Sequence, residues 1–187
     1  MKTNQVFPEA ISSQWQKPMF SFYNYVPMKY QATPKEWDVR KFIWNFKEGR
    51  NVMAAARMVA ERIREQFGSL CDTLCFACIP AHTPELNEAR YMEFSREVCR
   101  LTGAANAYDH IHVEGDRLAV HEYGHQEKEF SSCSVISFDR DFFNGKRVLL
   151  FDDIITRGLS YARFAAQLEY FGAEVMGGLF LGKTLLN

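Results

Sequence analysis

The sequence predicts an α/β fold in which a central, mainly parallel sheet is flanked by helices. Short apolar runs that suit buried strands alternate with stretches whose apolar residues recur every three or four positions, as on one face of a helix. Glycines suited to ending a helix follow three of these helical stretches, at Gly68, Gly103 and Gly172. Parallel strands need crossover helices between them, so this alternation indicates βαβ units.

Length and composition exclude several classes of protein. Its 187 residues are 47% hydrophobic and 24% charged, which fits one globular domain over residues 1–187 and is too apolar for a disordered chain. The formal net charge of -1 provides no overall attraction to nucleic acid or an anionic membrane. No apolar run approaches the roughly 20 residues of a membrane span, and the start lacks the apolar stretch of a secretion signal. The odd number of cysteines, 5, favours free thiols, so we expect a cytoplasmic protein.

The first third of the chain predicts an arm followed by two helices. Residues 1–31 hold three of the 6 prolines and many aromatic residues, so we expect an arm packed on the body of the protein. Pro34 suits a helix start, because its missing N–H would be unpaired there in any case. A second helix is predicted from Asn51 to Gly68, with apolar residues spaced by three and four.

The remaining two thirds predict the rest of the sheet. Residues 73–80 form a continuous apolar run that suits a strand covered on both faces, and a helix that ends at Gly103 follows. Further strands are predicted over residues 107–113, 147–151 and 174–181, and a helix over residues 159–171. The polar stretch 114–132 has little apolar content and predicts a loop.

The segment with the clearest chemistry is VLLFDDIITRGLS, residues 148–160. An apolar strand ends at Asp152 and Asp153, and a turn with two hydroxyls and Gly158 then opens a helix. Backbone N–H groups at a helix N-terminus suit a dianionic phosphate, and ionised carboxylates accept hydrogen bonds from ribose hydroxyls or hold a hydrated Mg²⁺. Because ligands of open α/β sheets bind beyond the carboxyl ends of the strands, the pattern predicts a site for a ribose 5-phosphate group. The alternative is that the acids only cap the helix.

This segment resembles the phosphoribosyl-diphosphate (PRPP) binding motif of type I phosphoribosyltransferases. In that motif a hydrophobic strand, two acidic residues and two aliphatic residues precede a loop with Thr or Ser and Gly. Over about residues 22–184 the chain is similar to the competence protein F family of phosphoribosyltransferase-like proteins. That similarity includes KFIWNFKEG (residues 41–49), the strand that ends at residues 79–82 and the helix start at residues 86–90.

The resemblance implies a type I phosphoribosyltransferase fold, with residues 1–45 as a small N-terminal arm or hood and residues 46–187 as the α/β core. It implies Mg²⁺ held by PRPP and water near the two acids, with no direct protein ligand, and Arg90 as a further cation near the phosphate loops. The implied site residues are Asp152 and Asp153 at the ribose hydroxyls; Thr156, Arg157, Gly158, Leu159 and Ser160 at the 5-phosphate; Ala81 and His82 at the pyrophosphate; and Arg117, His125 and Lys128 as cations of a closing loop, residues 114–132.

Family members transfer the 5-phosphoribosyl group of PRPP to a nitrogen nucleophile and release pyrophosphate. The expected protein is therefore a Mg²⁺-dependent phosphoribosyltransferase with an unidentified nitrogen acceptor. Its oxocarbenium-like transition state needs positioning, stabilisation of the departing charge and exclusion of water. The alternative is a non-catalytic protein that binds PRPP or a nucleotide in a regulatory or competence-related role, because Glu85 and Glu88 lie where competence-type members carry Lys and Arg. The aromatic arm is a candidate homodimer surface.

Two other patterns indicate metal sites and compete with simpler interpretations. Cys71, Cys75 and Cys78 have the C-x3-C-x2-C spacing of some iron–sulfur proteins. If residues 73–80 are a strand, however, the odd separation of Cys75 and Cys78 places them on opposite faces, so buried thiols are favoured. The second pattern is a pair of histidine spacings, His110-x-His112 on one strand face and His121-x3-His125, for which a polar surface is favoured over a metal site.

Overall fold

The computed structural model describes residues 8–114 and 135–185 of the chain. The strands are β1 (Met19–Tyr25), β2 (Leu74–Cys78), β3 (Ala105–Asn106), β4 (Ile111–Glu114), β5 (Val135–Phe138), β6 (Arg147–Ile155) and β7 (Glu174–Thr184). The helices are α1 (Pro8–Ser12), α2 (Pro34–Lys47), α3 (Val52–Phe67), α4 (Pro84–Asn87), α5 (Glu93–Thr102), α6 (Arg140–Phe143) and α7 (Leu159–Tyr170). Short 3₁₀ segments occupy Ser13–Gln16, Gly68–Thr73 and Tyr108–His110, and a π turn, Glu88–Met92, joins α4 to α5.

Five strands form one parallel sheet in the order β1-β7-β6-β2-β3, which confirms the α/β class. β4 and β5 pair antiparallel in a separate two-stranded sheet. β2 and β6 are neighbours in the large sheet, and the chain continues from β2 toward one edge and from β6 toward the other. Ligands of open α/β sheets bind at such a switch in strand order, beyond the carboxyl ends of the two strands. The topology therefore predicts that a ligand binds near the carboxyl ends of β2 and β6.

Apolar layers cover both faces of this sheet. On one face, α2, α3 and α5 pack around aromatic rings, and the ring centroids of Phe94 and Phe151 are 4.5 Å apart. On the other face, α7 buries Tyr161 and Leu168 against the sheet. Consecutive strand residues alternate between the layers, so that Phe151 lies in the first and Leu150 in the second. Cys78 and Cys75 likewise lie in the first and second layers, as the odd separation predicted.

Local signals explain where the predicted helices begin and end. α2 begins with a capping box, in which the Thr33 hydroxyl accepts from the Glu36 N–H and the Glu36 carboxylate accepts from the Thr33 N–H. Gly68 and Gly103 end α3 and α5 with positive φ angles of 54° and 81°, which glycine adopts without steric cost. The described helices include none that is long and apolar enough to cross a membrane.

The N-terminal arm differs from the expected hood. Its residues 19–25 form β1, an edge strand of the main sheet that runs parallel to β7, with Ser21 opposite Phe180. Phe20, Phe22 and Tyr25 pack partly buried against the main apolar layer. Aromatic residues favour a pleated, half-buried surface, so this stretch completes the sheet.

The predicted strand over residues 107–113 is divided in the structure. β3 ends at Asn106, whose side-chain oxygen accepts from the Tyr108 N–H at 3.0 Å and turns the chain away from the sheet. A 3₁₀ turn follows, and β4 then pairs outside the main sheet. Of the predicted closing loop, residues 115–132 lie outside the described residues, and Arg117, His125 and Lys128 are among them.

Candidate functional site

An open cavity of about 260 Å³ lies where β6 ends and α7 begins. Its walls are formed by the end of β6 (Asp152, Ile154 and Ile155), the loop of residues 156–160, and two aromatic residues, Tyr161 and Phe180. The predicted phosphate loop therefore lines one cavity together with one of the two predicted acids. This is also the place that the strand order favours for a ligand, beside the switch between β2 and β6.

The predicted phosphate loop, residues 156–160, presents an uncapped helix N-terminus to this cavity. Gly158 precedes α7 with a φ of 70°, and no side chain caps the helix. The Gly158 carbonyl accepts from the Ala162 N–H at 2.9 Å. The N–H groups of a first helical turn have no partner within the helix, and the helix dipole makes that end positive. α7 has 12 residues, and the N–H groups of its first turn therefore form a positive group of donors that suits a phosphate.

Contacts at its start hold this loop to the end of the sheet. The hydroxyls of Thr156 and Thr184 share a hydrogen bond of 2.8 Å, which ties the loop to the end of β7. Gly158 is buried, whereas the side chains around it are exposed to the cavity mouth or to solvent; these are Thr156, Arg157, Leu159 and Ser160. The start of the loop is thus held by a hydrogen bond, whereas most of its side chains are exposed.

Asp152 is half-buried in the cavity wall. Its Oδ1 accepts from the Asp153 N–H at 2.8 Å and from the Tyr91 hydroxyl at 3.4 Å. Burial and, after it, the charge of Asp153 raise the pKa of Asp152 well above its usual range. A carboxyl group in this setting can hold a proton in mildly acidic solution and release it when a cation or a hydrogen-bond donor binds beside it.

Asp153 does not lie in the cavity wall with Asp152. It is 5% exposed, with Oδ2 2.6 Å from Nη1 of Arg90 and Oδ1 3.3 Å from Nζ of Lys47. Consecutive residues of a strand point in different directions, and Asp153 points to the end of α2 and to the π turn, where Lys47 and Arg90 lie. The prediction put both acids on one ligand, whereas in this structure Asp153 is a buried partner of two cations.

Arg90 organises that cationic cluster from the π turn between α4 and α5. Its Nε and Nη2 donate to the backbone carbonyl of Lys47, at 3.1 and 2.9 Å, while Nη1 binds Asp153. Arg90 was predicted near the phosphate loops, but Lys47 was not among the predicted site residues. Arg90 and Asp153 are 63 positions apart, so no local spacing could have paired them.

The predicted pyrophosphate residues lie just after β2. Ala81 is buried, and its N–H donates to Oδ1 of Asn87 at 3.1 Å, so this backbone donor already has a protein partner. His82 is exposed beside it. Thr83 then caps α4 by accepting from the Leu86 N–H.

The described residues do not support the alternative metal patterns. Across residues 8–114 and 135–185, no group of three or more His, Cys, Asp or Glu side chains is placed to hold a metal ion. His110 lies in a 3₁₀ turn, not on a strand face with His112, because the chain leaves the main sheet there. Its ring stacks on Phe142 with centroids 3.5 Å apart, and its Nδ1 lies 3.0 Å from Oδ2 of Asp139. His121 and His125 fall outside the described part of the chain.

In comparisons with models of known protein families and with curated protein sequences, the chain matches none.

Proposed function

We propose that this chain binds PRPP in the cavity between Asp152 and the N-terminus of α7 and transfers its phosphoribosyl group to a nitrogen nucleophile. The fold would then be of the type I phosphoribosyltransferase kind. One observation carries the proposal: a carboxyl group and an uncapped helix N-terminus line the same cavity, beside the switch in strand order. A carboxylate can accept from a sugar hydroxyl and a helix N-terminus can donate to a phosphate, so this pair of groups suits a sugar phosphate.

The phosphate end of the ligand would bind at residues 156–160. The N–H groups that begin α7 would donate to the phosphate oxygens, and the exposed hydroxyl of Ser160 lies in the same wall. Arg157 also lines the cavity and adds a cation that can pair with the dianion. Gly158 adopts the positive φ of 70° with which the chain turns into α7, a conformation that glycine adopts without steric cost.

The ribose would bind across the end of β6. Within the described residues, both hydrogen bonds of Asp152 go to Oδ1, which leaves Oδ2 to accept from a ribose hydroxyl. Asp153 would act from the other face by holding Lys47 and Arg90 at the strand end. This cluster of two cations and one anion carries a net charge of about +1, which favours an anionic ligand next to it.

In the reaction, the bond from C1 of the ribose to the pyrophosphate oxygen breaks, a bond from C1 to the nitrogen forms, and the nitrogen loses a proton to solvent. Lys47 has a half-exposed side chain and can turn from Asp153 toward the departing pyrophosphate, because Arg90 continues to neutralise Asp153. The free carboxylate oxygen of Asp152 would hold Mg²⁺ through water when the ion binds together with PRPP. When bound, Mg²⁺ would offset charge on the leaving group.

A second candidate, binding of PRPP or a nucleotide without transfer, is favoured by Ala81. Its N–H would be a donor to pyrophosphate, but Asn87 accepts it in this structure. A protein that recognises ribose 5-phosphate without stabilising a departing pyrophosphate would be a sensor of the nucleotide and not an enzyme.

Release of pyrophosphate from PRPP separates these candidates. The full chain is incubated with PRPP and Mg²⁺, together with ammonia or each of a panel of nitrogenous bases, and pyrophosphate is measured by a coupled assay. Acceptor-dependent release that Asp152→Asn abolishes supports the transferase. Saturable PRPP binding without release for any acceptor supports the sensor, and the absence of binding contradicts both.

A further inference from the structure

Trp15 lies against the glycine of the phosphate loop. A Cβ atom on Gly158 would be 2.5 Å from Cζ3 of Trp15, so the indole ring occupies the space that a side chain would need. Gly158 is buried, while Trp15 remains 43% exposed. The indole therefore covers the middle of the loop from the outside.

The residues next to Trp15 anchor it to the far end of α7. Gln14 is fully buried and donates from Nε2 to Oε2 of Glu169 at 2.5 Å. Lys17 forms an ion pair with the same carboxylate and donates to the backbone carbonyl of Val175 at 2.7 Å. Glu169 lies in the last turn of α7, so residues 8–17, which we call the N-terminal brace, contact this helix at both ends.

These contacts add to the hydrogen bonds that hold the loop at its two ends. Among the described residues, the Thr156–Thr184 bond holds the start of the loop and the bond from the Ala162 N–H to the Gly158 carbonyl joins it to α7, while the side chains on both sides of Gly158 are exposed. An anion binds tightly to backbone N–H groups when their directions are set before it arrives, since a mobile loop must lose conformational entropy on binding.

We propose that Trp15 is a positioning residue of the phosphate site. It holds residues 156–160 in the conformation that presents the first N–H groups of α7, and the N-terminal brace fixes Trp15 in turn. The ligand part of this inference rests on the proposed function, whereas the ordering of the loop by Trp15 does not.

Three variants of the full chain test it: Trp15→Ala, Trp15→Phe and, as a matched control, Trp37→Ala. Trp37 has a similar exposure, 37%, but lies on α2, where it packs on Trp44 and Arg40. Calorimetric titration with ribose 5-phosphate and with inorganic phosphate measures affinity. Hydrogen exchange of the amides of residues 158–162 without ligand measures the order of the loop.

We expect Trp15→Ala to weaken both affinities by about fivefold or more, Trp15→Phe to stay within about twofold, and Trp37→Ala to leave them unchanged. Exchange at residues 158–162 should rise about fivefold in Trp15→Ala alone. If Trp15→Ala does not fold, Lys17→Met loosens the same brace without touching the loop and should change affinity and exchange in the same direction.

Unchanged affinity and unchanged exchange in the folded Trp15→Ala variant would overturn the inference and leave the proposed function intact. If the wild type binds neither probe, the proposed function fails and the ligand part of the inference fails with it. The exchange measurement then still decides the rest: faster exchange in Trp15→Ala supports the ordering of the loop by Trp15, and unchanged exchange refutes it.

Discussion

Arg90 and Asp153 form a buried ion pair, with 2.6 Å between Nη1 and Oδ2, that joins the π turn to β6. The same guanidinium donates to the backbone carbonyl of Lys47, where α2 ends. One side chain thus ties three elements together at the edge of the candidate site. The two neighbouring acids consequently have different surroundings: Asp153 is the buried partner of Arg90 and Lys47, whereas Asp152 lines the cavity.

Removal of Arg90 should destabilise the protein strongly. Arg90→Met leaves a buried carboxylate with Lys47 as its remaining ion-pair partner among the described residues, so we expect a loss of about 3 kcal/mol in the free energy of unfolding. Urea denaturation measures it. Arg96→Met is the control, because both side chains of its pair with Glu93 are exposed and its loss should cost less than about 1 kcal/mol. Equal losses in the two variants would show that the buried pair has no special structural role.

Asp152→Asn should change how stability depends on pH. The pKa of Asp152 is raised in the folded protein, so the folded state holds this proton more tightly than the unfolded state, where the pKa is about 3.9. Tighter binding of this proton by the folded state stabilises the wild type. The stabilisation is fully present below about pH 4 and is lost as pH rises toward the folded pKa, by at most about 1.4 kcal/mol per pH unit.

The asparagine variant lacks this dependence, so its stability relative to wild type should increase between pH 5 and pH 8. Chemical denaturation across that range measures the difference, with the exposed Asp141→Asn as the control. Parallel curves for wild type and Asp152→Asn would mean that burial does not raise the pKa of this carboxyl group.

Gly158→Ala and Gly145→Ala separate backbone strain from steric clash. Both glycines have positive φ, 70° and 73°, so each alanine should cost about 1 kcal/mol through its backbone. A Cβ on Gly145 meets nothing within 4 Å, whereas one on Gly158 meets the ring of Trp15. We therefore expect Gly158→Ala to lose about 1–3 kcal/mol more than Gly145→Ala in thermal unfolding. Equal losses would contradict the packing of Trp15 on the loop.

Lys47→Ala should leave the stability of the protein nearly unchanged and should weaken the binding of ligands that carry pyrophosphate. Arg90 remains on Asp153, so stability should change by less than about 1 kcal/mol. Affinity for PRPP should fall about tenfold, because a charge-assisted contact contributes about 1.5–3 kcal/mol, while affinity for ribose 5-phosphate should hold. Calorimetry compares the two ligands, and Lys41→Ala, an exposed lysine of the same helix, is the control. A uniform loss for both ligands would place Lys47 elsewhere than at the pyrophosphate.

The parts of the fold that local rules govern were predictable from the sequence. The helices that end at Gly68 and Gly103 and the alternation of Cys75 and Cys78 follow from local patterns. The strand predicted over residues 147–151 is present as β6, but it continues through Asp152 and Asp153 to Ile155 because β7 pairs with it along that length. The strand expected over residues 107–113 was wrong, because a side-chain hydrogen bond from the Tyr108 N–H to Asn106 ends β3 early. β1 was missed as a strand because its aromatic residues favour a packed arm and an edge strand alike.

The candidate site was predictable only in part. Asp152 and the loop after it form one continuous motif, and the structure brings them to one cavity. The rule of alternation already implied that Asp153 points the other way, and the expectation of a joint ligand overlooked it. The positions of Lys47 and Trp15 depend on contacts with residues far away in the sequence, which no local pattern encodes. The hydrogen bond from the Ala81 N–H to Asn87 is local, but it depends on a loop conformation that residue spacing alone does not predict.

The central claim, that Asp152 and the N-terminus of α7 share a ribose 5-phosphate ligand, is tested most directly by calorimetric titration of PRPP with Mg²⁺ into wild type and Asp152→Asn. Loss of one acceptor for a ribose hydroxyl should weaken binding by about tenfold, with one site per chain in wild type. Equal affinity in the two proteins, or no binding to the wild type, would contradict the account.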